Sequence, residues 1–218
     1  MHRRQILRYL SLFIATTALS ACVELGVDTQ SQFSLPEACR TNCVTPYSQV
    51  LGTAPGDVTA YSNCNANCVI FTPNLEGNIY TGIKWQCVEF ARRWLLDNLG
   101  MVYGDVDTAS DIWSKIKYVT RVSDNHRIPL QDFENGSSDP PRVGDLLIYS
   151  KEYLNTGHVA VITDVDLPTG VIKVAEQNYS NQTWPADYAR KIDLIEKTGR
   201  YWVLDAYVLG WKRVAGGH

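Results

Sequence analysis

The spacing of apolar positions changes once along the chain, from helical to alternating. Between Gln86 and about Leu99, the residues Val88, Ala91, Leu95 and Leu99 fall on one stripe, with Arg92, Arg93 and Asp97 largely off it. That is the pattern of a helix with one buried face. Gly100 stands where a left-handed C-cap belongs. A second helix is predicted over 108–117, capped by Asp107. The breaker DPPRVGD (139–145) follows, and then the period becomes two. LLIYS (146–150), HVAVITDV (158–165) and GVIKVAEQ (170–177) read as strands, and ARKIDLI (189–195) and YWVLDAYVLGW (201–211) continue the sheet. Upstream, APGDVTAYSN (54–63) reads as turn, short strand, turn, and 64–84 as loop. Helices in the N-terminal half and antiparallel strands in the C-terminal half predict an α+β fold.

The first residues stand outside this pattern. Arg3, Arg4 and Arg8 precede an apolar run from Tyr9 to Ala18. Its length suits a signal sequence and is too short for a membrane-spanning helix. The run ends in Leu19-Ser20-Ala21-Cys22, which resembles the lipobox of bacterial lipoproteins. The resemblance implies cleavage before Cys22, lipidation of that cysteine and attachment to a membrane through the lipid. Val23 follows, and a non-acidic residue there implies the outer membrane, facing the periplasm. An ordinary cleaved signal is the plainer alternative. The expected organisation is therefore a signal peptide at 1–21, a polar tether at 22–45 and one domain at 46–213. Removing residues 1–21 takes away three of the 20 basic residues and none of the 23 acidic ones, leaving a balance of −6. No basic block remains, which argues against nucleic acid as a partner.

Six cysteines sharpen the picture. Cys22 goes to lipid, while Cys39 and Cys43, and Cys64 and Cys68, form two pairs of equal spacing. Outside the cytoplasm four such cysteines read as two disulfides, with three connectivities open. The repeated spacing favours bridges between the segments, such as Cys39–Cys68 with Cys43–Cys64. A four-thiolate zinc site is the rival reading. Either way Cys87 is left over, at the start of the predicted helix. A buried free cysteine can be simply a small hydrophobe. A thiol at a helix N-terminus, however, feels the positive end of the dipole and ionises more readily.

Such a nucleophile needs a base, and the base an orienting group. His158 opens the strand HVAVITDV, and the next strand carries Glu176 and Asn178. A hairpin symmetric about Leu167 sets His158 opposite Glu176; one symmetric about Pro168 sets it opposite Asn178. Both registers keep these even-numbered residues on one face with Ala160, Ile162, Ile172 and Val174. A helix packed on that face would bring Cys87 to His158. Trp85, Trp113, Trp184 and Tyr179 are candidates for a ligand groove, and Arg92 and Arg93 for a carboxylate contact. The plainer expectation is core for the aromatics and a solvated face for the arginines.

WQCVEFARRWL, PRVGDLLIY, TGHVAVIT, AEQN and LGW together resemble the CHAP amidases, a papain-like (NlpC/P60-like) group. Within it they are most similar to the amidase half of bacterial glutathionylspermidine synthetase/amidase. VLGTAPGDVTAYSN resembles the opening of that domain. The likeness runs over about 46–212 in the family's order. It implies N-terminal helices packed on an antiparallel β-sheet. It also implies an amide hydrolysed through a thioester, with Cys87 as nucleophile, His158 as base and Glu176 as orienting acid. Asn178 matches an adjacent polar residue, Gln86 and the Cys87 backbone N–H are the implied oxyanion donors, and neither metal nor organic cofactor is implied. The chain lacks the synthetase half and adds a lipoprotein leader and extra cysteines, which leaves the substrate open. A polyamine–peptide conjugate is the first expectation and a peptidoglycan peptide the second. A non-catalytic binding module is the alternative from another class.

Overall fold

The structure is a computed structural model in which residues 35–216 are described. Cys22 and the leader lie outside the described residues. In chain order the elements are β1 (Val50–Ala54), β2 (Val58–Tyr61), β3 (Pro73–Glu76), β4 (Ile79–Ile83), α1 (Cys87–Leu99), β5 (Met101–Tyr103), α2 (Asp111–Lys115), β6 (Tyr118–Arg121), β7 (Arg127–Glu134), β8 (Leu146–Tyr149), β9 (Val159–Asp166), β10 (Val171–Ala175), β11 (Arg190–Lys197), β12 (Arg200–Val203) and β13 (Val208–Val214). Nine strands form one sheet in the order β12-β11-β10-β9-β8-β13-β7-β6-β5, with every neighbouring pair antiparallel. The hairpins β1–β2 and β3–β4 stand apart from it.

The expected antiparallel sheet is present, but the helical half is reduced to one long helix. Gly100 ends α1 as predicted, at φ 64°, with its N–H on the Leu95 and Leu96 carbonyls. The second helix covers only Asp111–Lys115, because Ile116 turns extended to lead into β6. Its N-cap is Ser110 rather than Asp107, and the Asp111 carboxylate accepts the Thr108 N–H instead. The stretch read as loop contains β3 and β4. Their inward positions include the polar Asn74 and Thr81, so the hydrophobic alternation that marks a strand is missing. β5, β6 and β7 likewise escaped the pattern. YWVLDAYVLGW is two strands that part company: β12 lies at the sheet edge, while β13 runs between β8 and β7.

Alternate residues divide the core. On one face Leu146, Ile148, Val159, Val161 and Ala175 meet α1 through Cys87, Phe90, Ala91, Trp94 and Leu95. The buried stripe of α1 is thus 87, 90, 91, 94 and 95, one step round from the predicted one, with Val88 and Leu99 at its margin. On the other face Leu147, Tyr149, Ala160, Ile162, Ile172, Val174, Ile192, Leu194 and Trp211 pack together. All of these belong to the sheet itself, and Phe133, Tyr153, Val165, Tyr201 and Val208 pack against them. The helix therefore covers the odd-numbered face of β9, not the expected even-numbered face.

Two disulfides, Cys39–Cys68 and Cys43–Cys64, staple the segment before β1 to the loop before β3. This is the favoured pairing, and it takes up all four sulfurs that a zinc site would need. Bridges of this loop length contribute about 2–4 kcal/mol each, chiefly by restricting the unfolded chain.

Candidate active site

Cys87 is the first residue of α1 and is buried, with Gln86 as an extended N-cap whose side chain makes no capping bond. It is the free cysteine among the described residues. The His158 side chain and the backbone N–H groups of Val88 and Val159 lie close to the thiol and favour its ionised form. The helix head can come this close because Gly82 of β4 lies against its first turn. A Cβ at Gly82 would sit 2.8 Å from the Glu89 Cα, and its φ of +143° also suits glycine.

His158 lies one residue before β9 and is 1% exposed. Gly157 precedes it at φ +70°, where a Cβ would be 2.6 Å from the Tyr149 carbonyl oxygen. Its Nε2 is 2.8 Å from Glu176 Oε2, which leaves Nδ1 as the nitrogen that faces the thiol. The hairpin reaches this arrangement by neither simple register. Near the turn Val171 pairs with Asp166, Ile172 with Val165 and Lys173 with Asp164; after a bulge that leaves Thr163 unpaired, Val174 pairs with Ile162. The extra residue restores the even-numbered face just before the histidine. Extended beyond Ala175, this register sets His158 opposite Asn178, but the chain has left the strand there and the side chain that reaches the ring is that of Glu176.

Sequence reasoning missed the group behind the carboxylate. Arg190, at the start of β11, donates from Nε to Glu176 Oε1 at 2.6 Å. Its other nitrogens reach Asp205 Oδ2 at 2.5 Å and the Tyr149 hydroxyl at 2.6 Å, and that hydroxyl donates to Asp205 at 2.7 Å. Tyr179 stacks on Tyr153 and lies 3.9 Å beneath the guanidinium, so two tyrosines flank the pair. An arginine opening a strand carries no periodicity signal that marks it as part of a site.

Burial alone would push the Cys87 thiol up. The His158 charge and hydrogen bond, with the Val159 and Val88 N–H groups, outweigh it and hold the thiol below its ordinary value. Burial would lower His158, but Cys87 and Glu176 raise it to about 9. Glu176 is lowered despite complete burial, by His158 and then by Arg190. All three shifts run in the direction that favours a thiolate–imidazolium pair backed by a carboxylate.

The Gln86 and Asn178 side chains meet at 2.9 Å, Asn178 Nδ2 donating to Gln86 Oε1. The Gln86 amide nitrogen is held by the Asn63 side chain and the Cys68 carbonyl at 3.3 and 3.4 Å. A cleft of about 450 Å³ opens on Cys87, lined by Val69, Phe71, Ile83, Val106, Ala109 and Gly157 among others. Of the candidate groove aromatics, Trp184 packs edge-on against Phe90, Trp85 lies tilted against Tyr61 and Trp113 borders the helix-side core; Tyr179 alone of the four stands beside His158. Arg92 and Arg93 do not form a solvated face, being 2% and 5% exposed. Arg93 pairs with Glu89 at 2.7 Å, and Arg92 reaches the Gly104 carbonyl and Asp105.

Residues 78–178, which include Cys87, His158 and Glu176, match the CHAP domain family, and this part of the chain is a CHAP domain. The chain is 37% identical over 161 residues to trypanothione synthetase of Crithidia fasciculata, covering 73% of this chain and 24% of that protein. It is 36% identical over 182 residues to the bifunctional glutathionylspermidine synthetase/amidase of Escherichia coli (strain K12), covering 76% and 29%. It is 28% identical over 198 residues to glutathionylspermidine synthase of Crithidia fasciculata, covering 80% and 27%. The chain thus spans under a third of the length of these relatives.

Proposed function

We propose that the protein is a cysteine amidohydrolase, and that its substrate is an amide of the glutathionylspermidine type. The observation that carries the reading is the chain of contacts from Cys87 to His158 to Glu176, at the head of a buried helix and open to a cleft. The CHAP match and the amidase named in the bifunctional relative support it. The Cys87 thiolate attacks the amide carbon, forming a C–S bond and an oxyanion. The Cys87 N–H at the helix start receives that oxyanion, and Gln86 joins by giving up its two long bonds. The C–N bond then breaks as His158 passes its proton to the leaving amine. A water molecule, deprotonated by His158, attacks the thioester and releases the acid and the thiolate. Glu176 holds the imidazole in orientation throughout. With this reading goes a lipid anchor at Cys22, which would put the enzyme on the periplasmic side of the outer membrane.

The test is incubation of the full chain with glutathionylspermidine and, separately, with purified sacculi, read by mass spectrometry against Cys87→Ala. Free spermidine formed only by the intact protein supports the reading. New stem-peptide fragments instead would assign the same chemistry to peptidoglycan. No product from either, with a Cys87 no more reactive than free cysteine, would leave a binding module.

A further inference from the structure

We infer that Arg190 is a positioning residue for this chemistry: held by Asp205 and Tyr149, it fixes and keeps ionised the carboxylate of Glu176 that orients His158. The inference rests on the proposed thiol mechanism and extends it to a residue outside the CHAP match, which ends at residue 178.

Arg190 bonds both oxygens of Glu176, Oε1 from Nε and, at 3.4 Å, Oε2 from Nη2, and His158 shares Oε2. Oε2 faces His158 at 2.8 Å, and Oε1 takes the Arg190 Nε–H at 2.6 Å. A carboxylate held on one side by a planar, permanently charged fork cannot rotate away from the imidazole. The fork is itself fixed on its far side by Asp205 Oδ2 and the Tyr149 hydroxyl, which also bond each other. Tyr149 ends β8 and Asp205 lies in the turn between β12 and β13, so groups from three separate parts of the chain converge on one guanidinium. Tyr179 closes its face at 3.9 Å. Glu176 is 3% exposed, where an ionised carboxylate without a cation is strongly disfavoured.

Take Arg190 away and the buried site carries one more net negative charge. Glu176 then binds a proton more easily as the pH falls. Once protonated it no longer supports the imidazolium, and the proton on His158 returns to the Cys87 sulfur. The loss should appear on the acid side of the profile and be small on the alkaline side, where Glu176 is ionised regardless.

The experiment needs no substrate. The full chain is alkylated with iodoacetamide across a range of pH, and the rate at Cys87 is followed by peptide mass spectrometry, which separates it from any other cysteine. Wild type, Arg190→Met, Arg190→Lys and Tyr149→Phe are compared, with circular dichroism as the check on folding. In Arg190→Met the acid limb moves to higher pH, giving a loss of about tenfold or more near pH 5 and under about twofold near pH 8. Arg190→Lys, which keeps the charge, recovers most of the limb. Tyr149→Phe moves it in the same direction by less, and supplies the reading if Arg190→Met does not fold. Equal losses at all pH values in Arg190→Met, or an unmoved limb in the folded variants, would overturn the role of Arg190. A wild-type Cys87 with the pH dependence of free cysteine would instead overturn the thiol mechanism itself.

Discussion

Two buried carboxylates, Glu89 and Glu176, are each paired with an arginine and lie within one small region, yet their surroundings suit opposite tasks. Glu89, in the first turn of α1, is wholly buried and accepts from Arg93 at 2.7 Å, Asn74 and Gln177 at 2.9 Å and Thr81 at 3.0 Å. These four partners are fixed donors that saturate the carboxylate. They tie the helix to β3, β4 and the residue after Glu176, so the cluster sets where the helix head lies. Glu176 has its arginine chiefly on one oxygen, with a longer bond to the other, where the imidazole also sits. Its second partner can take and give a proton. A buried charge with saturated, fixed donors is an anchor; the same charge with one titratable donor is part of a relay.

The comparison can be broken from either side. The largest effect is expected from Glu176→Gln, which keeps the shape and removes the charge facing His158. With the substrate that the hydrolysis assay identifies, kcat/KM should fall about 10²–10⁴-fold with thermal stability changed much less. A drop in stability with kinetics intact would make Glu176 an anchor like Glu89.

Glu89→Gln is the mirror experiment. It leaves Arg93 buried without its counter-charge and should cost about 3–5 kcal/mol, seen as a lower urea midpoint with an unchanged slope. The pH limbs of Cys87 alkylation in the folded fraction should stay in place. Limbs that moved would mean that the anchor also acts on the thiol.

The smallest effect needs no mutation. Below about 9 His158 is protonated and can supply the leaving amine; above it the ring loses that proton. Activity should therefore fall on the alkaline side with a midpoint near 9, about tenfold per pH unit beyond it. The acid limb should lie below the ordinary range of a cysteine, since the thiol is lowered. An alkaline limb near the ordinary histidine value would mean that Glu176 and Cys87 do not hold the proton on the ring.

Local order was the readable part of this molecule. The end of α1 at Gly100, the hairpin of β9 and β10, and the favoured disulfide pairing all follow from neighbours within about thirty residues. The weak readings came where a polar residue took a core position. Asn74 and Thr81 hid β3 and β4, and the buried Arg92 and Arg93 looked like a solvent face. For Arg92 and Asn74 the groups that make burial tolerable lie in other elements, at Gly104 and Asp105 and at Thr81 and Glu89. Arg93 has its carboxylate one turn back in the same helix, but the burial of that pair is set by strands that the helix periodicity does not contain.

The odd cysteine at the head of an amphipathic segment, and a histidine and a glutamate eighteen residues apart across a turn, were determined by sequence alone. Backbone periodicity and hairpin connectivity act over short range. Tertiary structure decided which face of the sheet the helix covers, because that depends on packing between elements far apart in the chain. It also decided that a bulge at Thr163 realigns the hairpin, and that Tyr149, Arg190 and Asp205 converge behind Glu176. Those three residues stand forty-one and fifteen positions apart, on separate strands or just beyond them, and only the pairing of the whole sheet brings their polar groups to one point.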